Sequence, residues 1–280
     1  MRAPVNKIIP FSSVDGPGNR TSIFFQECNF NCRYCHNPET RNMCVNCGDC
    51  VEKCPTNALS IVDGKVTFDY NRCVLCDTCI KTCTHGASPR IRNMTPEEVM
   101  EEVKKQVPFI RGITTSGGEC TMNAPFLREL FSLAKENGLG ALIDSNGSYD
   151  FEKDSEHLLE VCDGVMLDVK AWSEDDHRAV CDVDNEMVLK NLRYLASVGK
   201  LYEVRTVVVP GLFDVKETVE KVSKEIVKYL SVSDIRYKII TYRPMGVRKE
   251  YLDMAPPSKE LIEELKQIAL NEGVKTVVTV

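Results

Sequence analysis

Fourteen cysteines stand in this chain of 280 residues, and eleven of them crowd between Cys28 and Cys83. Thiols at that density either pair as disulfides or hold metal, and the redox compartment decides between the two. The opening Met1-Arg2-Ala3-Pro4-Val5-Asn6-Lys7 leads into no apolar signal core. The longest apolar stretches are strand-sized, well short of the roughly 20 residues a membrane helix requires. The expected location is therefore cytoplasmic, without membrane association, where thiols stay reduced and dense cysteine usage points to metal. With 35 basic against 41 acidic residues the net charge is −6. There is no basic run, so nucleic acid is not an expected partner. One segment then holds metal, and the remainder is ordinary protein with a core to bury.

The spacing of the thiols refines this. Cys44-x2-Cys47-x2-Cys50-x3-Cys54-Pro55 recurs 29 residues later as Cys73-x2-Cys76-x2-Cys79-x3-Cys83, with Thr84 in the place of the proline. Each is the run of a bacterial ferredoxin, in which the fourth cysteine ligates the other run's cluster. One [4Fe–4S] cluster is thus expected on Cys44, Cys47, Cys50 and Cys83, and a second on Cys73, Cys76, Cys79 and Cys54. The clusters could carry electrons, or could simply staple a small fold or shape a docking surface. Residues 43–92 are expected to form a ferredoxin-like insert between a first part, 1–42, and the remainder, 93–280. Ahead of the insert, Cys28-x3-Cys32-x2-Cys35 offers three thiols. Three ligands suit a third [4Fe–4S] cluster with one iron left open for substrate. A zinc site completed by His36 is the other reading of that spacing.

Outside the insert the chain alternates between periods of two and 3.6 residues. Strands are expected at 21–26, 112–116, 141–144, 164–169, 201–209, 235–242 and 274–280. Helices are expected at 125–137, 151–162, 186–198, 215–230 and 258–271. A further helix opens at Thr95-Pro96-Glu97-Glu98, with Thr as N-cap and Pro at N1, and runs to about residue 107. Such alternation predicts an α/β fold with parallel strands joined by right-handed crossovers. Six or seven strands are too few for a closed eight-stranded barrel, so a partial (β/α)6-type barrel is expected. Its chemistry should collect at the C-terminal ends of the strands.

Several segments carry a family resemblance. In chain order they are Ser13-Val14-Asp15-Gly16-Pro17-Gly18 with Arg20, Phe24-Phe25-Gln26, and the cysteine triplet with Tyr34 and His36-Asn37-Pro38-Glu39-Thr40. Gly117-Gly118-Glu119, Asp144-Ser145-Asn146-Gly147, Met166-Leu167-Asp168-Val169-Lys170 and Val207-Val208-Val209-Pro210-Gly211 follow. In these the chain resembles the radical S-adenosylmethionine enzymes, and among them the glycyl-radical-enzyme activases of the pyruvate formate-lyase-activating type. Lys7-Ile8-Ile9-Pro10-Phe11-Ser12 looks like the YjjW-type branch. The resemblance implies reductive cleavage of S-adenosylmethionine at the Cys28, Cys32, Cys35 cluster, beside Tyr34. It implies hydrogen abstraction from a glycine of a partner glycyl radical enzyme, with a low-potential donor such as flavodoxin or ferredoxin.

Residue roles follow from the same resemblance. Gly117, Gly118 and Glu119 would hold the amino group of S-adenosylmethionine. Asp144, Ser145, Asp168 and Lys170 would lie beside its carboxylate, with a monovalent cation near Asp144, Met166 and Asp168. Arg205 would sit near the cofactor, and Asp15 would lie in the loop facing the partner's glycine. Two positions depart from the family: Glu27 replaces a glycine before the first cysteine, and Arg243 stands where a cofactor-contacting histidine is usual. Cys120, Cys162 and Cys181 match no motif and are expected to be buried as small apolar residues. A radical enzyme acting on a small molecule is a competing function. A non-catalytic electron carrier is another, and it leaves the Cys28 triplet unexplained.

Overall fold

The alternation becomes one nine-stranded sheet. The computed structural model describes residues 1–280. Its strands are β1 (Ala3–Ser12), β2 (Arg20–Phe25), β3 (Leu59–Val62), β4 (Lys65–Phe68), β5 (Arg92–Met94), β6 (Gly112–Gly117), β7 (Gly140–Ser145), β8 (Gly164–Asp168), β9 (Leu201–Val208), β10 (Arg236–Thr241) and β11 (Thr276–Thr279). The main sheet runs β11-β10-β9-β8-β7-β6-β2-β1-β5. From β2 through β6 to β11 every neighbouring pair is parallel. Between consecutive members lie helices such as Ala124–Glu136, Glu186–Ser197 and Val215–Val227. Their amphipathic faces cover the sheet with residues such as Phe126, Leu130, Leu192 and Val219, all buried. Seven parallel strands in an open sheet agree with a partial barrel.

Three differences from the expected elements have local causes. Ahead of β2 lies β1, antiparallel to it, with β5 antiparallel on its far side. Pro4 and Pro10 disguise β1, and its register slips between Val5 and Lys7 and between Ile9 and Ser12; the second slip holds Pro10, where a bulge lets a proline stay in a strand. The helix expected over 151–162 shrinks to Leu158–Val161. Its start is delayed by Asp154, whose carboxylate accepts the N–H of Leu158 at 3.0 Å and of Leu159 at 2.9 Å. That side chain competes with the helix for the same donors. Conversely a short helix, Glu174–Cys181, forms where none was expected, capped by Ser173 and opened by three acidic residues. The Thr95 cap forms in full as a capping box with Glu98, and its helix stops at Lys104.

Residues between the cysteine runs build a hairpin, β3–β4, turned by Asp63 and Gly64, both with positive φ. It stands apart from the main sheet. Leu59 of the hairpin joins Cys50 and Cys79 in a small buried cluster, separate from the main core.

Candidate active site

A cavity of about 930 Å³, counting its open mouth, lies at the C-terminal ends of the parallel strands. After β2 the chain supplies Cys28, Cys32, Tyr34 and Cys35 to its wall; the end of β6 and the residue after it supply Gly117 and Gly118, β7 Asp144 and Ser145, and the end of β8 and the turn after it Asp168 and Lys170. Ten of the sequence-predicted residues therefore converge. Asn146, Ser116, Arg41 and Arg248 join them. Asn146 could have been read from its place in the Asp144–Gly147 motif, whereas nothing around Arg248 announces it.

The cysteine loop has no regular structure between Phe25 and Pro38 and is held by contacts from elsewhere. Cys28 N–H donates to Arg41 O at 2.9 Å, and Asn31 and Arg33 N–H donate to Cys181 O and Val180 O. The Asn146 side-chain amide approaches Cys28 Sγ at 3.8 Å. Burial pushes the Cys28 thiol up to about 12 and the Cys35 thiol up to about 11, whereas Cys32 is drawn down to about 7. The neighbouring Cys181 thiol is the main cause at Cys32, and Lys170 adds to it. Cys181 is buried, as expected, and its thiol donates to His177 O at 3.1 Å. No three His, Cys, Asp or Glu side chains converge as ligands of a single metal ion; the thiols stand around a cavity instead.

Glu27 adopts φ 84°, a left-handed conformation that favours glycine. Its N–H donates to Thr40 O at 2.7 Å and its carbonyl accepts from Glu119 N–H at 2.8 Å, so the backbone cannot relax. The side chain is exposed. Glu27→Gly is expected to raise stability by about 1 kcal/mol, or roughly 2 °C in melting midpoint. A midpoint equal to or below that of the parent would count against strain. Opposite it, a Cβ on Gly117 would fall 2.3 Å from Phe25 N and one on Gly118 2.0 Å from Glu27 O. Close backbone packing therefore requires both glycines.

Three of the predicted residues lie outside the cavity wall. Glu119 is buried and fully engaged: its carboxylate accepts from Thr121 N–H (3.1 Å), Thr121 Oγ1 (2.6 Å), Ser145 Oγ (3.0 Å) and Asn146 N–H (2.7 Å). Burial pushes its carboxyl up and these bonds pull it back. Arg205 is buried between Asp144 Oδ1 at 2.9 Å and Glu203 Oε1 at 2.7 Å, with Met166 Sδ at 2.9 Å. Arg243 is exposed and lines an adjoining cavity with Ser13, Val14, Lys238 and Met245; its carbonyl meets His36 Nε2 at 2.8 Å. Within the wall, Lys170 pairs with Asp168 at 2.9 Å, and its ammonium lies 5.9 Å from the centre of the Tyr34 ring.

In the hairpin segment the eight remaining motif cysteines line two small cavities. One has Cys44, Cys47, Cys50 and Cys83 in its wall, the other Cys54, Cys73, Cys76 and Cys79. The fourth cysteine of each run thus faces the cavity of the other run.

Comparison with known proteins places this geometry in context. The pyruvate formate-lyase-activating enzyme of Streptococcus mutans is 29% identical over 96% of this chain and 91% of its own. The pyruvate formate-lyase 1-activating enzyme of Escherichia coli K12 is 30% identical over 97% and 98%. The crystal structure of QueE from Escherichia coli aligns with a TM-score of 0.53 at 12% identity, covering 100% of this chain and 94% of that one, a likeness of fold. The family model described as the radical SAM superfamily matches residues 22–226, a span holding every residue of the main cavity wall except Arg248. The match therefore runs through the cysteine loop and the ends of five parallel strands together, and the chain belongs to the radical SAM superfamily of S-adenosylmethionine-dependent iron–sulfur oxidoreductases.

Proposed function

We propose that this chain is a glycyl-radical-enzyme activating enzyme, with a catalytic [4Fe–4S] cluster on Cys28, Cys32 and Cys35. The observation that carries the reading is the single cavity in which those thiols meet the polar ends of β6, β7 and β8. The donor set fits the group. Three thiols leave one iron open, and the buried Tyr34 hydroxyl and Arg248 Nε lack partners of their own. When bound, the cluster supplies the electron that splits the sulfonium of S-adenosylmethionine into methionine and a 5′-deoxyadenosyl radical, able to take a hydrogen atom from a partner's glycine. The chain's own residues bind and orient. Lys170, kept protonated by Asp168 despite its burial, offers a cation to the methionyl carboxylate. Gly118 brings bare backbone to the wall, and Glu119 fixes the Ser145–Asn146 turn beside it. A monovalent cation among Asp144, Met166 and Asp168 would share that ground with the Arg205 guanidinium, which already bonds the first two.

The homologues named as activating enzymes support a glycyl radical enzyme as the partner. Incubating this protein with such an enzyme, a low-potential reductant and S-adenosylmethionine is expected to give a glycyl radical EPR doublet on the partner. Deoxyadenosine formed only with a small-molecule substrate would defeat the reading.

Residues 43–92 fit a ferredoxin-like insert with two clusters taking electrons from a flavodoxin or ferredoxin, and the crossed cysteine walls support it. The whole chain should then bind about twelve irons. Under the crossed pairing Cys47→Ala and Cys83→Ala strike one cluster, so the double variant loses about four irons in total, whereas Cys47→Ala with Cys54→Ala loses about eight. The reverse order of losses would establish uncrossed pairing.

A further inference from the structure

Between β10 and the last helix, Lys259–Asn271, the segment from Tyr242 to Tyr251 crosses the cysteine loop and touches it on both sides of Cys32-Arg33-Tyr34-Cys35. On one side the Arg248 guanidinium donates to Asn31 O at 3.2 Å and to Cys32 O at 3.1 Å. On the other, His36 stacks on Tyr242, and Gly246 packs so closely that a Cβ would fall 2.6 Å from His36 O. Tyr251 ties the two together, with Arg248 4.7 Å from its ring centre and Arg33 of the loop at 5.8 Å.

We propose that this strap is a clasp for the cysteine loop and that Arg248 is its positioning residue, fixing the Asn31 and Cys32 carbonyls so that Cys32 faces the cavity. The proposal rests on the reading of Cys28, Cys32 and Cys35 as cluster ligands. The loop's donors and acceptors are held from opposite sides: the Glu174–Cys181 helix takes the N–H groups of Asn31 and Arg33, and Arg248 takes the two carbonyls between them. A loop without strand or helix hydrogen bonds depends on such outside partners for a single conformation. Arginine is suited to the task because one planar guanidinium can bond carbonyls at its edge and stack on an aromatic face, which lysine cannot combine. Its side chain is 15% exposed, and it is the one cavity-lining residue contributed from beyond β9.

The test uses the full chain, anaerobically reconstituted and after iron removal, as the parent, Arg248→Met, Arg248→Lys and Lys249→Met. Lys249 is an exposed cation on the same strap and controls for charge. Two quantities are read: deuterium uptake of the peptide spanning the cysteine loop, and the lifetime, under a ferrous chelator, of the EPR signal that responds to S-adenosylmethionine. Arg248→Met should exchange at least about tenfold faster and lose the signal at least about tenfold faster, with Arg248→Lys between and Lys249→Met like the parent. Parent-like exchange and lifetime in Arg248→Met overturn the clasp, as does Lys249→Met matching Arg248→Met. Should Arg248→Met fail to fold, a folded Arg248→Lys with parent-like values overturns it equally. A parent whose EPR signal ignores S-adenosylmethionine would instead count against the proposed function, and exchange in the iron-free chain would still judge the clasp.

Discussion

Replacing Cys32 with alanine is expected to reduce S-adenosylmethionine cleavage about a thousandfold or more, some 4 kcal/mol in barrier. The effect should be that large because the two thiols left behind cannot hold a cluster that three are needed to hold. A metal-bound cysteine must shed its proton, and Cys32 alone of the triplet is drawn down, to about 7, by Cys181 and Lys170, while burial holds Cys28 and Cys35 up. Deoxyadenosine release measured with dithionite isolates the step from any physiological donor. The insert's thiols are untouched, so about eight irons should remain. Cleavage surviving in Cys32→Ala at near-parental rate would remove the triplet from the chemistry and leave the electron-carrier reading standing.

What could be read from the sequence depended on how far apart in the chain the interacting groups lie. Metal-ligating thiols sit within a few residues of one another, so their spacing states the chemistry, and the fold then gathers Cys28, Cys32 and Cys35 at one wall. The parallel strands were legible for a similar reason, since each crossover repeats one local pattern. β1 was not, because two prolines and a bulged register erase its alternation. The partners of buried charges were also hidden. Arg205 enters through the family resemblance, yet nothing local to it reveals that it would spend its guanidinium on Asp144 and Glu203. Arg243 and Arg248 show the limit most sharply. Both follow β10, one was chosen by family position, and only the fold, which brings residues more than 200 positions apart into contact, puts the other at the cysteine loop.

Arg205→Met should be the most destabilising single substitution outside the cysteine motifs, by about 3–5 kcal/mol. Arg205 is 8% exposed, between Asp144 at 17% and Glu203 at 3%. Methionine keeps the volume and removes the charge, leaving the buried Glu203 and the half-buried Asp144 without the cation between them. Arg236 reaches Glu203 only at 3.6 Å and offers partial relief. The pH dependence has a definite sign. Burial already pushes the Asp144 carboxyl up and Asp168 pushes it further, while Arg205, with a smaller part from the Ser116 hydroxyl, opposes them. A carboxyl raised in the folded state favours folding while protonated, and that contribution is lost as pH rises through its folded value. Without Arg205 the carboxyl rises further, so the variant's deficit should be greatest at pH 8 and shrink toward pH 5.5. Arg205→Lys, which can pair with one carboxylate at a time, should fall between. Denaturant unfolding of the reconstituted chain at the two pH values measures all three. A deficit in Arg205→Met that is small, or that does not change with pH, would show that Asp144 and Glu203 find other partners and that the central charge of the barrel is dispensable.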